Sequence, residues 1–233
     1  MIEASHNIIP AYAIAMTLAF AAGFAVYRVN TRGMEKQSDQ LFPILLAAFL
    51  GGVIGAKLPV ILLNLRFGLS WQAILEGRTI VGGLVGGTLA VLFVKKKLGI
   101  RTRYGNLLAP PIALGMAIGR IGCFFSGCCF GKPTDLPWGI TFGDGIARHP
   151  TQLYELIFCL CAFVLLQRAH RTAPPGSLLT RFFLAYFIFR FAEEFIRPYT
   201  LIAGLTAFQW ICIAGILILT AKTCWMKKQE KTP

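Results

Sequence analysis

Negative charge is scarce in this chain: ten Asp and Glu among 233 residues, within a charged fraction of only 14%. A water-solvated domain carries about a quarter charged residues, so a soluble globule is excluded. No Lys or Arg precedes the first apolar run and no small-residue cleavage site stands out, so this run reads as a retained helix rather than a secretory leader. Long internal repeats and low-complexity tracts are lacking, and the longest non-apolar stretch, from Gly131 to Pro150, is too short to fold alone.

What is present is apolar sequence, 56% of the chain. Runs long enough to cross a bilayer fall at 7–27, 41–65, 79–95, 106–127, 152–168, 178–197 and 203–224. The expected fold is therefore an all-α integral membrane protein of about seven transmembrane helices forming one domain over 1–233. The 23 Lys and Arg sit mainly in short segments between these runs, the pattern of loops facing anionic lipid rather than of a nucleic-acid surface. Alternate loops are unequal in charge: the set containing Arg28, Lys95–Lys97, Arg168 and Lys222 is basic, and the set containing Arg66, Arg78, Lys132, Arg148 and Arg197 is sparse. The positive-inside rule then places the N-terminus outside and the C-terminus in the cytoplasm.

Lys57, Arg120 and Arg190 remain, each inside an apolar run, where a cation costs several kcal/mol unless it faces a wet or counter-charged cavity. Lys57 lies near a helix end and can snorkel. In the sixth run Tyr186, Arg190, Glu194 and Arg197 are spaced 4, 4 and 3 apart, one polar stripe on a helix. It is either a salt-bridge ladder to neighbouring helices or a pocket where Arg190 binds an anion that Glu194 orients. The fourth run carries Arg120 among Gly115, Gly119 and Gly122. The glycines admit close approach of a helix or a lipid, and the planar guanidinium fork suits phosphate; the alternative is a paired carboxylate, with Glu194 a candidate. His149 precedes the fifth run, near a helix N-terminus that disfavours imidazolium; it is a proton acceptor or a hydrogen-bonded structural group.

Of seven cysteines, Cys159, Cys161, Cys212 and Cys224 lie in apolar helix sequence and read as small hydrophobes. Cys123, Cys128 and Cys129 cluster at the expected outer end of the fourth helix, where packing thiols, a disulfide or a ligating group all remain open. No second Cys pair with zinc-like spacing accompanies them.

In order and spacing the chain resembles the prolipoprotein diacylglyceryl transferase family. The strongest matches are Gly119-Arg120-Ile121-Gly122, Gly127, Gly131, the segment Pro133 to Gly139, and Arg148-His149-Pro150-Thr151-Gln152-Leu153-Tyr154-Glu155. Tyr186, Arg190-Phe191, Glu194, Arg197 and Gln209 follow; weaker matches are Tyr12, Gly51-Gly52, Gly55-Ala56-Lys57-Leu58 and Gly82-Gly83-Leu84.

The resemblance implies transfer of the diacylglyceryl group of phosphatidylglycerol to the lipobox cysteine of prolipoprotein signal peptides, with release of glycerol phosphate. It places this chemistry at the outer face of the bacterial inner membrane, with membrane lipid and the precursor as partners and with neither cofactor nor metal. His149, Tyr186, Arg190 and Glu194 would be catalytic; Tyr12, Gly82, Gly83, Gly119, Arg120, Gly122, Arg190 and Arg197 would bind phosphatidylglycerol. The chain departs from the family signature where Cys123 and Ser126 replace two Asn, Cys128 replaces Glu, and Val81 replaces His. Two alternatives accommodate these departures: a paralogue lipidating another acceptor, and a non-enzymatic thiol- or metal-binding membrane module.

Overall fold

The computed structural model describes residues 8–32, 38–64, 79–198 and 201–229. Among them are seven α-helices: α1 (Ile8–Asn30), α2 (Ser38–Asn64), α3 (Ile80–Lys97), α4 (Gly105–Phe125), α5 (Thr151–Ala169), α6 (Ser177–Glu193) and α7 (Ala207–Gln229). Two antiparallel hairpins accompany them, β1 (Ile140–Thr141) with β2 (Ala147–Arg148) and β3 (Leu201–Ile202) with β4 (Leu205–Thr206). Segments of α1, α2, α4, α5 and α7 are long and apolar enough to cross a bilayer. The three lysines ending α3 and the 17-residue length of α6 set those two apart. Large apolar side chains such as Ile14, Phe24, Ile157, Leu165, Leu217 and Ile218 point outward, while Arg120, Glu155, Arg190, Glu193, Glu194 and Arg197 are buried. That is the inverse of a soluble core and the arrangement lipid favours.

Two compact units make up the chain. One is Arg32–Thr102. In it α2 and α3 pack backbone to backbone: a Cβ on Gly55 would lie 2.4 Å from the Gly82 carbonyl, and one on Gly86 2.4 Å from that of Gly51. Without a hydrophobic drive between helices in lipid, such small-residue contact is what holds a pair together.

The other unit comprises Met1–Thr31 and Arg103–Pro233. Here α4 is central. It runs unbroken through Pro110 and Pro111, against α1 at Gly115 and Gly122. Asn106 in its first turn donates to the carbonyls of Ala173 (2.8 Å) and Pro174 (2.9 Å) and accepts from the Leu178 amide (3.0 Å). One side chain thus fastens the α5–α6 turn. Asn106→Ala should lower stability by about 2 kcal/mol, at roughly 1 kcal/mol per bond with one bond exposed; a melting curve in detergent that matches the parent would show that the turn is held otherwise.

Two boundaries differ from the sequence expectation. The sixth run, expected as helix to 197, ends as α6 at Glu193, continues as a 3-10 turn over Glu194–Ile196, and is extended at Arg197. Pro198 disfavours helical backbone in the residue before it. The last run, expected as helix from 203, opens with the β3–β4 hairpin, whose turn residues Ala203 and Gly204 have φ of 51° and 81°. Positive φ at both central positions suits a two-residue hairpin turn, which hydropathy does not register.

The loop between α4 and α5 folds against the end of α6: the Lys132 amide donates to the Ile196 carbonyl (2.7 Å) and its Nζ to that of Phe195 (2.9 Å). Within this loop Asp144 pairs with Arg148 and accepts from the Ile146 amide. Arg148 also covers the Phe130 ring, 4.7 Å from its centroid. The Arg148 hydrogen bond holds the Asp144 carboxyl below its ordinary value. A lowered folded pKa means that the contact is intact above the unfolded carboxylate range and is lost as pH falls through the folded value. Acidification should therefore loosen the β1–β2 hairpin, read as faster amide exchange after correction for intrinsic rates. In Asp144→Asn that extra acid sensitivity should vanish.

Candidate active site

Three arginines and three glutamates meet inside the larger unit. Arg120 comes from α4, Glu155 from α5, Arg190 and Glu193 from α6, and Glu194 and Arg197 from the 3-10 turn and the residue after it. The arginines are 5, 5 and 3% exposed. Glu155 is the hub. It pairs with Arg120, accepts the Tyr186 hydroxyl at 2.8 Å and lies 3.7 Å from Arg197. Arg190 spreads its two terminal nitrogens over Glu193 and Glu194, at 2.5 and 2.8 Å, and Arg197 reaches Glu193 at 3.2 Å. Glu193 is thus shared by two guanidiniums, and the six charges cancel.

The change from α-helix to 3-10 turn makes this cluster possible. Four-residue spacing carries Tyr186, Arg190 and Glu194 along one face, and the tighter turn with extended Arg197 returns a second guanidinium to the same carboxylates. Phe158 stacks on Phe189 at 4.4 Å and tilts against Tyr186, closing that side with aromatic rings. On the other side, α7 begins with a reciprocal cap. The Thr206 amide donates to Gln209 Oε1 (2.9 Å), and the Gln209 amide donates to Thr206 Oγ1 (3.2 Å). This is the Thr-x-x-Gln form of a capping box. The same Thr206 hydroxyl donates to Glu194 Oε1 at 3.0 Å, so the start of α7 is tied to the charge cluster. Thr206→Val keeps the shape but removes both roles; with about 1 kcal/mol for the cap and about 2 for the bond to a carboxylate, it should destabilise by about 3 kcal/mol. An unchanged detergent melting temperature would mean that Glu194 is held by Arg190 alone.

Not every buried donor is used. Nε of Arg120 and Nε of Arg197 have no hydrogen-bond partner. Both belong to guanidiniums engaged through Nη2, so each keeps a donor for an incoming acceptor. The chemistry available is anion binding: positive forks, counter-charged and buried, at the end of a helical bundle.

A family model described as prolipoprotein diacylglyceryl transferase matches residues 2–225. The chain belongs to that family. The proteins it is similar to include three bearing the name phosphatidylglycerol–prolipoprotein diacylglyceryl transferase. The one from Clostridium tetani is 32% identical over 223 residues, covering 89% of this chain and 90% of its own. That from Geobacter sulfurreducens is 33% identical over 213 residues, covering 84 and 80%. That from Methylococcus capsulatus is 34% identical over 226 residues, covering 89 and 85%. The resemblance read from the motifs is borne out.

In this diacylglyceryl transferase family member, the expected stripe of Tyr186, Arg190, Glu194 and Arg197 is brought together with Arg120. The suggested partner of Arg120, Glu194, is corrected to Glu155, because α5 rather than the 3-10 turn carries the carboxylate facing it. Gly122 lies against Ala15 and Tyr12 of α1, and Gly119 has the Met16 sulfur as its neighbour. Gly82 and Gly83 belong to the smaller unit, where their carbonyls approach Gly55 and Gly52 of α2. His149 is half-buried just before α5. Its Nδ1 lies 3.2 Å from the Tyr154 hydroxyl, which accepts from Trp138 Nε1 at 2.9 Å. All seven cysteines are free thiols.

Sequence reasoning gave no role to Glu155, Glu193 or Thr206. Glu155 stands in the quoted Arg148-to-Glu155 motif, Glu193 is three residues after Arg190, and the capping pattern Thr206-x-x-Gln209 is readable. What the sequence does not display is which helix faces Arg120.

Proposed function

We propose that this protein transfers the diacylglyceryl group of phosphatidylglycerol to the lipobox cysteine of prolipoproteins, at the outer face of the bacterial inner membrane. The observation that carries the reading is the neutral, buried cluster of Arg120, Arg190 and Arg197 with its unused Nε donors, in a chain of this family. A phosphodiester entering the cluster exchanges Glu contacts for phosphate contacts, bidentate at each guanidinium. In the transfer the substrate sulfur forms a bond to the terminal glyceryl carbon of the diacylglycerol, the carbon–oxygen bond to phosphate breaks, and glycerol phosphate leaves. Charge develops on the departing phosphate oxygen, where fixed guanidiniums lower the barrier. The thiol reacts as thiolate, and His149, held by Tyr154, is the base assigned to its proton.

Glu193 and Glu194 position Arg190, Glu155 positions Arg120, and Tyr186 fixes Glu155. Tyr12 beside Gly122, with Gly119, offers a surface for the glyceryl backbone. The outer-face assignment follows the sparse positive charge of the loops carrying Lys132, Arg148 and Arg197. A non-enzymatic module draws no support from the three relatives, each named as the transferase.

The test uses purified protein with phosphatidylglycerol and a lipobox peptide. The peptide should gain the mass of one diacylglyceryl group, with glycerol phosphate released in equal amount. A competent peptide left unmodified, with folded protein and accessible lipid, would sink the proposal.

A further inference from the structure

The diacylglyceryl transfer leaves one group of nucleophiles unused. Sγ of Cys123, Cys128 and Cys129 all lie within 4.8 Å of one another. The backbone brings them together deliberately. Helix α4 ends with the Ser126 amide bonded to the Gly122 carbonyl and the Cys128 amide bonded to that of Cys123 at 3.2 Å, a turn that lays the second thiol back over the first. Cys129 then has φ of +65°, a left-handed conformation that a residue with a Cβ adopts at a cost of about 1–2 kcal/mol.

The first turn of α5 maintains that conformation. The Thr151 hydroxyl donates to the Cys129 carbonyl and Gln152 Nε2 to the Cys128 carbonyl, both from fully buried side chains. Strain held in place by two hydrogen bonds from buried side chains marks a preorganised site rather than an irregular helix end.

The chemistry of the cluster is that of soft-metal ligands. Zinc–sulfur bonds of about 2.3 Å put tetrahedral sulfurs about 3.8 Å apart, about 1 Å inside the 4.8 Å within which these three lie. Thiolates are needed, and binding of the ion itself releases the thiol protons. Two buried oxygens of the same neighbourhood have no hydrogen-bond partner: Ser126 Oγ, and the Oε1 of the Gln152 amide that holds Cys128. Each oxygen is an acceptor still open to a further bond.

We infer that Cys123, Cys128 and Cys129 form a metal site that binds one thiophilic d10 cation, zinc(II) or copper(I), through three sulfurs. Three thiolates on a divalent ion leave one net negative charge, and Cys129 is exposed, so that charge is within reach of solvent. Copper(I) takes the three sulfurs as a trigonal set. For zinc(II) the fourth tetrahedral position stays open, as in sites that bind an exchangeable ligand.

The test uses the full-length protein in detergent, reduced, stripped with chelator and then titrated. With cadmium(II) as a spectroscopic zinc substitute, thiolate-to-metal charge-transfer absorption should saturate at one ion per chain and be displaced by zinc(II). A copper(I) titration under anaerobic conditions separates the two ions, since the tighter binder resists exchange. Cys123→Ser/Cys128→Ser/Cys129→Ser should abolish the band while its far-UV dichroism and melting temperature stay those of a folded protein. Cys159→Ser/Cys161→Ser should retain it. No saturable binding with all thiols reduced, an undiminished band in the triple variant, or a Cys123 disulfide in protein isolated without reductant would each overturn the inference. The readout is independent of lipid transfer, so failure of the transferase assay leaves it untouched.

Discussion

Glu155→Leu should cost about 3–5 kcal/mol, the largest stability loss expected of any single substitution in the described residues. Glu155 is fully buried and serves three groups at once: Arg120, the Tyr186 hydroxyl and Arg197. An apolar replacement leaves the Arg120 guanidinium with no counter-charge where water does not reach, and also strands the Tyr186 hydroxyl. Glu155→Gln is the informative companion. Its amide oxygen still accepts from Tyr186 and Arg120, so it should lose only part of that energy, leaving the charge deficit as the remainder. Unfolding curves of both variants in one detergent decide the matter: equal losses would mean that packing, rather than charge, governs this position.

The same residue shows where the sequence stops being legible. Helices were readable because about twenty apolar residues in a row have few alternatives to a membrane helix, and the seven runs correspond to the seven helices of the described residues, five of them long and apolar enough to cross a bilayer. The stripe from Tyr186 to Arg197 was readable because helical spacing fixes which residues share a face. It was misread only where Pro198 bends the chain into a tighter turn. Partners across helices are a different problem. Whether Arg120 meets Glu155 or Glu194 depends on the rotation and depth of three helices, and no periodicity encodes that. The β3–β4 hairpin was invisible for a related reason: three of its four strand residues, Leu201, Ile202 and Leu205, are as apolar as the helix that follows, and the backbone conformation at Ala203 and Gly204 separates them. The convergence of Cys123 with Cys128 and Cys129 likewise rests on a turn geometry and on Thr151 and Gln152, which lie more than twenty residues further along.

Whether the arginine–glutamate cluster is a lock or a clamp is settled by removing its charge without removing its shape. Arg120→Ala alone does not decide, because it strands Glu155 and can unfold the site for the reason given above. Arg120→Gln combined with Glu155→Gln replaces a buried ion pair by two amides of similar volume that can bond each other and Tyr186. Such replacements of a pair as a unit are often close to neutral in stability, so the double variant should melt within a few degrees of the parent. Transfer of the diacylglyceryl group should nevertheless fall by about 100- to 1,000-fold, the usual loss when one preorganised donor to a developing oxyanion is removed. Because the phosphate is bound before it departs, apparent affinity for phosphatidylglycerol should weaken along with kcat. A folded double variant with parental turnover would assign Arg120 to holding helices together and move the phosphate to Arg190 and Arg197.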